Sequence, residues 1–157
     1  MMFYTGYRSR PIIASGSLQR TRPVIEGENL TGQVNGKRAS ALEERFYRGT
    51  TKDSRIQWVR FKSIYGAPSN MFGSIELDFL IFTGSFYLVQ IDGAWIHKSA
   101  QARMHDIMQD ERLFHDHFRT RNAQPVSRVT EKFLSDQNKA NDTVRQILAG
   151  RVFKADD

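Results

Sequence analysis

The chain has 157 residues, no cysteine, and 23 lysines and arginines against 17 aspartates and glutamates, a formal net charge of +6. The length fits one ordinary domain with its own core, and the lack of cysteine excludes a disulfide scaffold, a thiolate zinc site and a cysteine nucleophile. The basic balance points to an anionic partner, nucleic acid first, and not to a membrane: Phe79 to Val89, the longest weakly polar stretch, contains Thr83, Gly84 and Ser85 and falls well short of the roughly 20 apolar residues a span needs.

Residues 1–25 hold Arg8, Arg10, Arg20 and Arg22 and no acidic residue. Phe3, Tyr4 and Tyr7 interleave with the first pair, while Gly6, Pro11, Gly16 and Pro23 interrupt any helical period. This reads as an extended basic arm that can follow a phosphate backbone or enter a minor groove; an arm wrapping a second subunit is the alternative. No apolar run follows the first arginines, so no secretory signal is expected. Residues 26–38 continue irregularly. The expected division is an arm over 1–36 and a domain over 37–157, with Lys37 and Arg38 adding positive charge at the boundary.

Ser40 followed by Glu43 has capping-box spacing, and Leu42, Phe46 and Tyr47 supply an apolar stripe, so a short helix is predicted over about 40–48, stopped by Gly49. Ile56 to Phe61 is a strand candidate and Gly66 to Asn70 a loop. Ser74 to Phe82 and Phe86 to Asp92 form a predicted hairpin across Gly84-Ser85. A long helix is predicted over Lys98 to Phe118, with Ala100, Met104, Ile107, Phe114 and Phe118 on its buried face. Val126 to Val129 is a short strand, and Gln137 to Leu148 a last helix facing inward through Ala140, Val144, Ile147 and Leu148. The fold class is therefore α/β or α+β, a small mixed sheet flanked by helices.

Candidate chemistry lies on the predicted hairpin. An aspartate inside an apolar strand is costly unless paired or metal-bound. Asp78 stands between Leu77 and Phe79, and Asp92 ends the adjacent strand, so two carboxylates can converge at one end of the sheet. Hard divalent cations take one or two protein carboxylates plus water and phosphate, and with His97 nearby this suggests metal-assisted phosphodiester hydrolysis. The plainer alternatives are a turn at Asp92-Gly93 and an Asp78 that caps a loop or pairs with an arginine. Glu76 shares the strand face of Asp78 and can equally pair with Arg60 or Lys62. Asp106 and Asp110 read as a solvated helix face, His115-Asp116-His117 as a surface turn, and Trp58, Trp95, Met104 and Met108 as core. Arg119, Arg121 and Arg128 extend the basic surface.

These segments together are similar to a known pattern. Ser40-Ala-Leu-Glu43-Glu-Arg-Phe-Tyr47, Gly73-Ser-Ile-Glu-Leu-Asp78-Phe79-Leu-Ile and Val89-Gln90-Ile-Asp92-Gly93-Ala-Trp95-Ile-His97 resemble the PD-(D/E)XK, or restriction-endonuclease-like, nuclease superfamily. The likeness is nearest to the branch of very-short-patch repair endonucleases and their phage and mobile-element relatives, and it covers about residues 37–150. The resemblance implies a restriction-endonuclease-like core and a metal-dependent DNA endonuclease using Mg²⁺ or Mn²⁺, in the cytoplasm of a bacterial or phage-infected cell. It implies Asp78 as central metal ligand, Glu43 (or its neighbour Glu44) as a helper from the first helix, and His97 as base or proton donor. Gln90 occupies the place of the second acid and Asp92 that of the lysine. In one reading Asp78, Asp92 and the Ile91 carbonyl hold the cation, and Arg8, Arg10, Arg20, Arg22, Lys37, Arg38 and Lys98 meet DNA. In the other, the neutral Gln90 and the absent lysine mark a module that binds DNA, or serves as a structural subunit, without cutting. RNA as substrate, a homodimer and a larger protein–nucleic-acid complex are all compatible with the sequence.

Overall fold

The computed structural model describes residues 28–66 and 73–157; Arg8, Arg10, Arg20 and Arg22 lie outside them. A short hairpin, β1 (Gln33–Val34) and β2 (Lys37–Arg38), leads into helix α1 (Ala41–Thr50). Strands β3 (Trp58–Gly66), β4 (Ser74–Phe82) and β5 (Phe86–Asp92) follow, then helix α2 (Ala100–His117), strand β6 (Ser127–Thr130) and helix α3 (Gln137–Leu148). The four longer strands form one mixed sheet in the order β3-β4-β5-β6, antiparallel except for the β5–β6 pair. A parallel pair needs a crossover connection, and α2 lies within it. The fold is mixed α/β, as expected.

Local chemistry accounts for the elements. The Ser40 hydroxyl accepts the Glu43 N–H at 3.2 Å while the Glu43 carboxylate accepts the Ser40 N–H at 2.9 Å, so both halves of the capping box close. Leu42 and Phe46 of α1 pack with Ala140, Val144 and Ile147 of α3 over Phe61, Phe79, Ile81 and Val89 on one face of the sheet. The helices approach closely at Gly49, where a Cβ would stand 3.0 Å from Val144 Cγ2 and 3.2 Å from the Ala140 carbonyl. On the other face Ile75, Leu77, Leu80 and Leu88 pack with Leu113 and Phe118 from the end of α2 and beyond it.

Three expectations need correction. Residues 28–36 belong to the folded body rather than to an arm. The Glu44 carboxylate accepts the Thr31 and Gly32 N–H groups at 2.8–2.9 Å, Glu28 pairs with Arg45 at 2.6 Å, and Val34 is buried. Helix α2 is rotated away from its apolar stripe: Met104 is 57% exposed and Ile107 36%, while Asp110 and Leu113 are buried. Charge sets the rotation, because Lys98 and Arg128 draw Asp106 and Asp110 inward. Trp58, expected in the core, is 38% exposed, whereas Trp95 is buried.

Candidate functional site

Along β3 and β4 the two faces of the sheet exchange at one rung. Phe61 and Phe79 pack beneath α1 and α3, whereas Tyr65, Leu77 and Ile75 pack on the α2 side, although residues two or four apart on a regular strand share a face. Pairing runs from Phe61–Phe79 to Ser63–Leu77 and skips the rung where Lys62 faces Asp78. Lys62 has φ of 57°, a left-handed conformation that costs a residue with a Cβ about 1–2 kcal/mol. The Lys37 ammonium braces this kink by donating to the Phe61 and Lys62 carbonyls at 3.0 and 3.2 Å.

At the same level β4 and β5 part. Their ladder ends at Phe79–Val89, and side chains bridge the gap beyond it. Gln90 Oε1 accepts the Asp78 N–H at 3.0 Å, and Gln90 Nε2 donates to the Glu76 carbonyl at 2.9 Å. Asp78 Oδ2 accepts the Ile91 N–H at 2.8 Å. Burial pushes the Asp78 carboxyl up to about 7; the charge of Glu43 and, more weakly, that of Glu76 add to this, against the Ile91 N–H and Lys62. Lys62 Nζ lies 3.9 Å from Glu43 Oε1 and donates to the Arg38 carbonyl at 3.0 Å. Glu43 and its ion-pair partner Lys62 thus stand near enough to shift the Asp78 carboxyl where the sheet opens.

A second cluster sits at the end of β5. Asp92 Oδ2 accepts from Lys98 Nζ at 2.7 Å and Arg128 Nη1 at 2.8 Å, and Asp92 Oδ1 accepts the Ala94 N–H at 3.1 Å. Lys98 also reaches Asp106 at 2.5 Å, and Arg128 forks onto both oxygens of Asp110 at 2.8 Å. Burial alone would push Lys98 down, but its bonds to Asp106 and Asp92 hold it above the ordinary lysine range. Burial raises the Asp110 carboxyl even against Arg128, while Arg128 itself is raised by Asp110. The bidentate geometry of Arg128 on Asp110 keeps both groups charged.

The structure therefore brings Asp78, Glu43 and Gln90 together and gives Asp92 other partners. The expected pair of metal-binding carboxylates, Asp78 with Asp92, is not formed, because both oxygens of Asp92 are held by Ala94, Lys98 and Arg128. Lys98, expected on DNA, is bound between two aspartates. The Ile91 N–H serves Asp78, and Ile91 itself pairs with Val129 in the parallel ladder. His97 is exposed in the turn Trp95–His97, and its ring bonds to no other described residue. Glu44 ties down Thr31 and does not replace Glu43. The sequence offered Lys62 only as a partner for Glu76, whereas it pairs with Glu43; nothing in a strand sequence signals its left-handed backbone. Sequence reasoning also assigned Asp106 and Asp110 to solvent; their spacing with an arginine inside an apolar strand was the available signal.

Among the described residues no group of three or more His, Asp or Glu side chains is arranged to hold a metal. Asp78 and Glu43 nevertheless offer hard oxygen donors, and Asp78 Oδ1 accepts no hydrogen bond from the described residues. Two carboxylates are what Mg²⁺ ordinarily takes from protein, with water and phosphate completing its shell. No family model matches the chain, and neither a curated protein nor a solved structure is significantly similar to it. No helix in the described residues is long and apolar enough to cross a membrane.

Proposed function

We propose that the chain is a metal-dependent DNA endonuclease with a restriction-endonuclease-like core, acting at the opening between β4 and β5. The observation that carries this reading is Asp78 itself. A carboxylate stands half-buried mid-sheet, its carboxyl pushed up to about 7 chiefly by burial and further by the charge of Glu43, and among the described residues it forms no ion pair. Such a group stays charged at neutral pH when a cation joins it. The order of helix, three strands, helix and strand agrees with the core that the sequence resemblance implies.

In this reading Asp78 and Glu43 hold Mg²⁺ or Mn²⁺, which supplies a water of lowered pKa and charge stabilisation at the phosphoryl oxygens. Gln90 keeps the strands apart at a fixed spacing. Lys62 places a positive charge beside Glu43, where the phosphate approaches. His97, exposed in the turn that follows β5, carries a proton to or from the reacting oxygens. Asp92, with Lys98 and Arg128, locks the strand end that bears the site.

The test is incubation with supercoiled plasmid and with mismatched and branched duplexes, in Mg²⁺, Mn²⁺ or EDTA, beside Asp78→Ala. Metal-dependent nicking that is lost in the variant is the expected result. Salt-sensitive binding without cutting assigns the chain to a second reading, a DNA-binding module that does not cut. That reading is favoured by Gln90, whose amide is fully occupied by the β4 backbone.

A further inference from the structure

A cavity of about 320 Å³ opens on the sheet face away from α1 and Glu43, beside the edge strand β3. Its volume lies at the lower end of the roughly 300–1,000 Å³ typical of small-molecule sites. Trp58, Tyr65 and Phe86 form its walls, and Arg60, Arg121 and His117 its polar rim; no lining residue is acidic. Trp58 stacks on Phe82 at 5.3 Å and meets Phe86 edge-on at 6.1 Å, so its ring is fixed although more than a third of the residue is exposed. The Arg60 guanidinium lies 5.2 Å from the Trp58 ring centre, and that of Arg121 lies 5.6 Å from Phe86. Among the described residues neither guanidinium is paired with a carboxylate. His117 is held by a 2.6 Å hydrogen bond to the Gly66 carbonyl and packs on Tyr65 at 5.3 Å.

We propose that this cavity takes one unstacked base of a nucleic-acid strand, packed against Trp58 and Phe86, with the flanking phosphates on Arg60 and Arg121. An aromatic surface with arginines alongside is the chemistry that binds single-stranded nucleic acid, because every base has a stacking face and every linkage an anionic charge. Two guanidiniums from separate elements, β3 and the connection before β6, suit a strand with a phosphate on either side of the base better than a ligand with one phosphate. An acid-free lining gives the charge complementarity. The proposal rests on the nucleic-acid reading above and adds a substrate class to it: DNA with an unpaired or displaced nucleotide.

The chain has two tryptophans, and Trp95 is buried, so quenching of tryptophan emission reports on Trp58. A twelve-nucleotide thymidine oligomer, an abasic oligomer of equal length and thymidine monophosphate are titrated into the full chain at low salt in EDTA. The expected result is quenching by the thymidine oligomer alone, absent in Trp58→Phe. Affinity is expected to fall about tenfold or more in Trp58→Leu, in line with the weight of one stacked base. Arg60→Gln with Arg121→Gln, at solvent-exposed positions, is expected to flatten the salt dependence of binding without lowering Tm. Equal binding of the abasic oligomer, equal quenching by the monophosphate, or unchanged affinity in folded Trp58→Leu overturns the proposal, as does no oligomer binding at all. Quenching without metal-dependent cutting defeats the nuclease reading and leaves the cavity assignment standing; cutting without quenching does the reverse.

Discussion

Lys62 and Asp78 face each other across the skipped rung of the β3–β4 ladder, and both are held away from their ordinary states. The lysine carries a left-handed backbone, and the aspartate carboxyl is pushed up to about 7, chiefly by burial. Strain and a raised carboxyl at one point of a sheet that is otherwise regularly paired are what a working site looks like.

If the kink serves the site and not the fold, Lys62→Gly separates the two. Glycine removes the left-handed penalty of about 1–2 kcal/mol, while its entropy and the lost bond to the Arg38 carbonyl act in the opposite direction. Urea denaturation is expected to give a stability within about 1 kcal/mol of the parent chain. DNA cutting by the same protein is expected to fall at least tenfold, for want of the cation.

The Asp78 carboxyl predicts a pH signature in EDTA. Its folded value is about 7 against 3.8 for an unperturbed carboxyl, so the folded state binds the proton more tightly. This group's contribution therefore makes stability fall as pH rises from about 4 to 7, and level off above. Asp78→Asn lacks that fall. At pH 8 it is expected to exceed the parent by about 2–4 kcal/mol, from 1.36 kcal/mol per pH unit, and at pH 4 to match it. Chemical denaturation at the two pH values reads the difference.

Gln90→Glu tests what the amide does. The variant loses the donor to the Glu76 carbonyl and adds a charge beside Asp78, so in EDTA its stability is expected to drop by about 1–3 kcal/mol. A third oxygen donor for a cation is gained at the same time. Millimolar Mg²⁺ is then expected to raise the Tm of Gln90→Glu by more than it raises that of the parent chain; an equal rise, or none, counts against a cation site at the strand opening.

The cluster at the end of β5 is scaffold in this account. Arg128 neutralises Asp92 and Asp110 while nearly buried itself. Arg128→Met leaves both acids without that partner and is expected to cost about 3–5 kcal/mol, read as a lower urea midpoint.

Much of this fold was legible in the sequence, and the exceptions share a cause. β4, β5 and α3 lie where alternation and helical period placed them, and the Ser40–Glu43 box closed as its spacing required. Those signals are local. The rotation of α2 was not legible, because Asp106 and Asp110 find Arg128 only after the sheet has formed, and ion pairing then outweighs the exposure of Met104 and Ile107. Asp78 was legible as an acid of interest for sitting in an apolar strand, and Glu43 only through the resemblance to the nuclease superfamily. The partner of Asp78 was not: the sequence offered Asp92 at a convergent strand end, and long-range bonds to Lys98 and Arg128 claimed it. Lys62 owes its role to a backbone angle that no residue pattern encodes.

The proposed cation site is the strand opening at Asp78 and not the cluster at Asp92. Titration of Mn²⁺ into the full chain, followed by the paramagnetic signal of the free ion, tests it directly when wild type, Asp78→Ala and Asp92→Asn are compared. Mn²⁺ uptake is expected in wild type and in Asp92→Asn, with its loss in Asp78→Ala. Uptake that survives in Asp78→Ala and vanishes in folded Asp92→Asn, or no uptake by wild type, contradicts it.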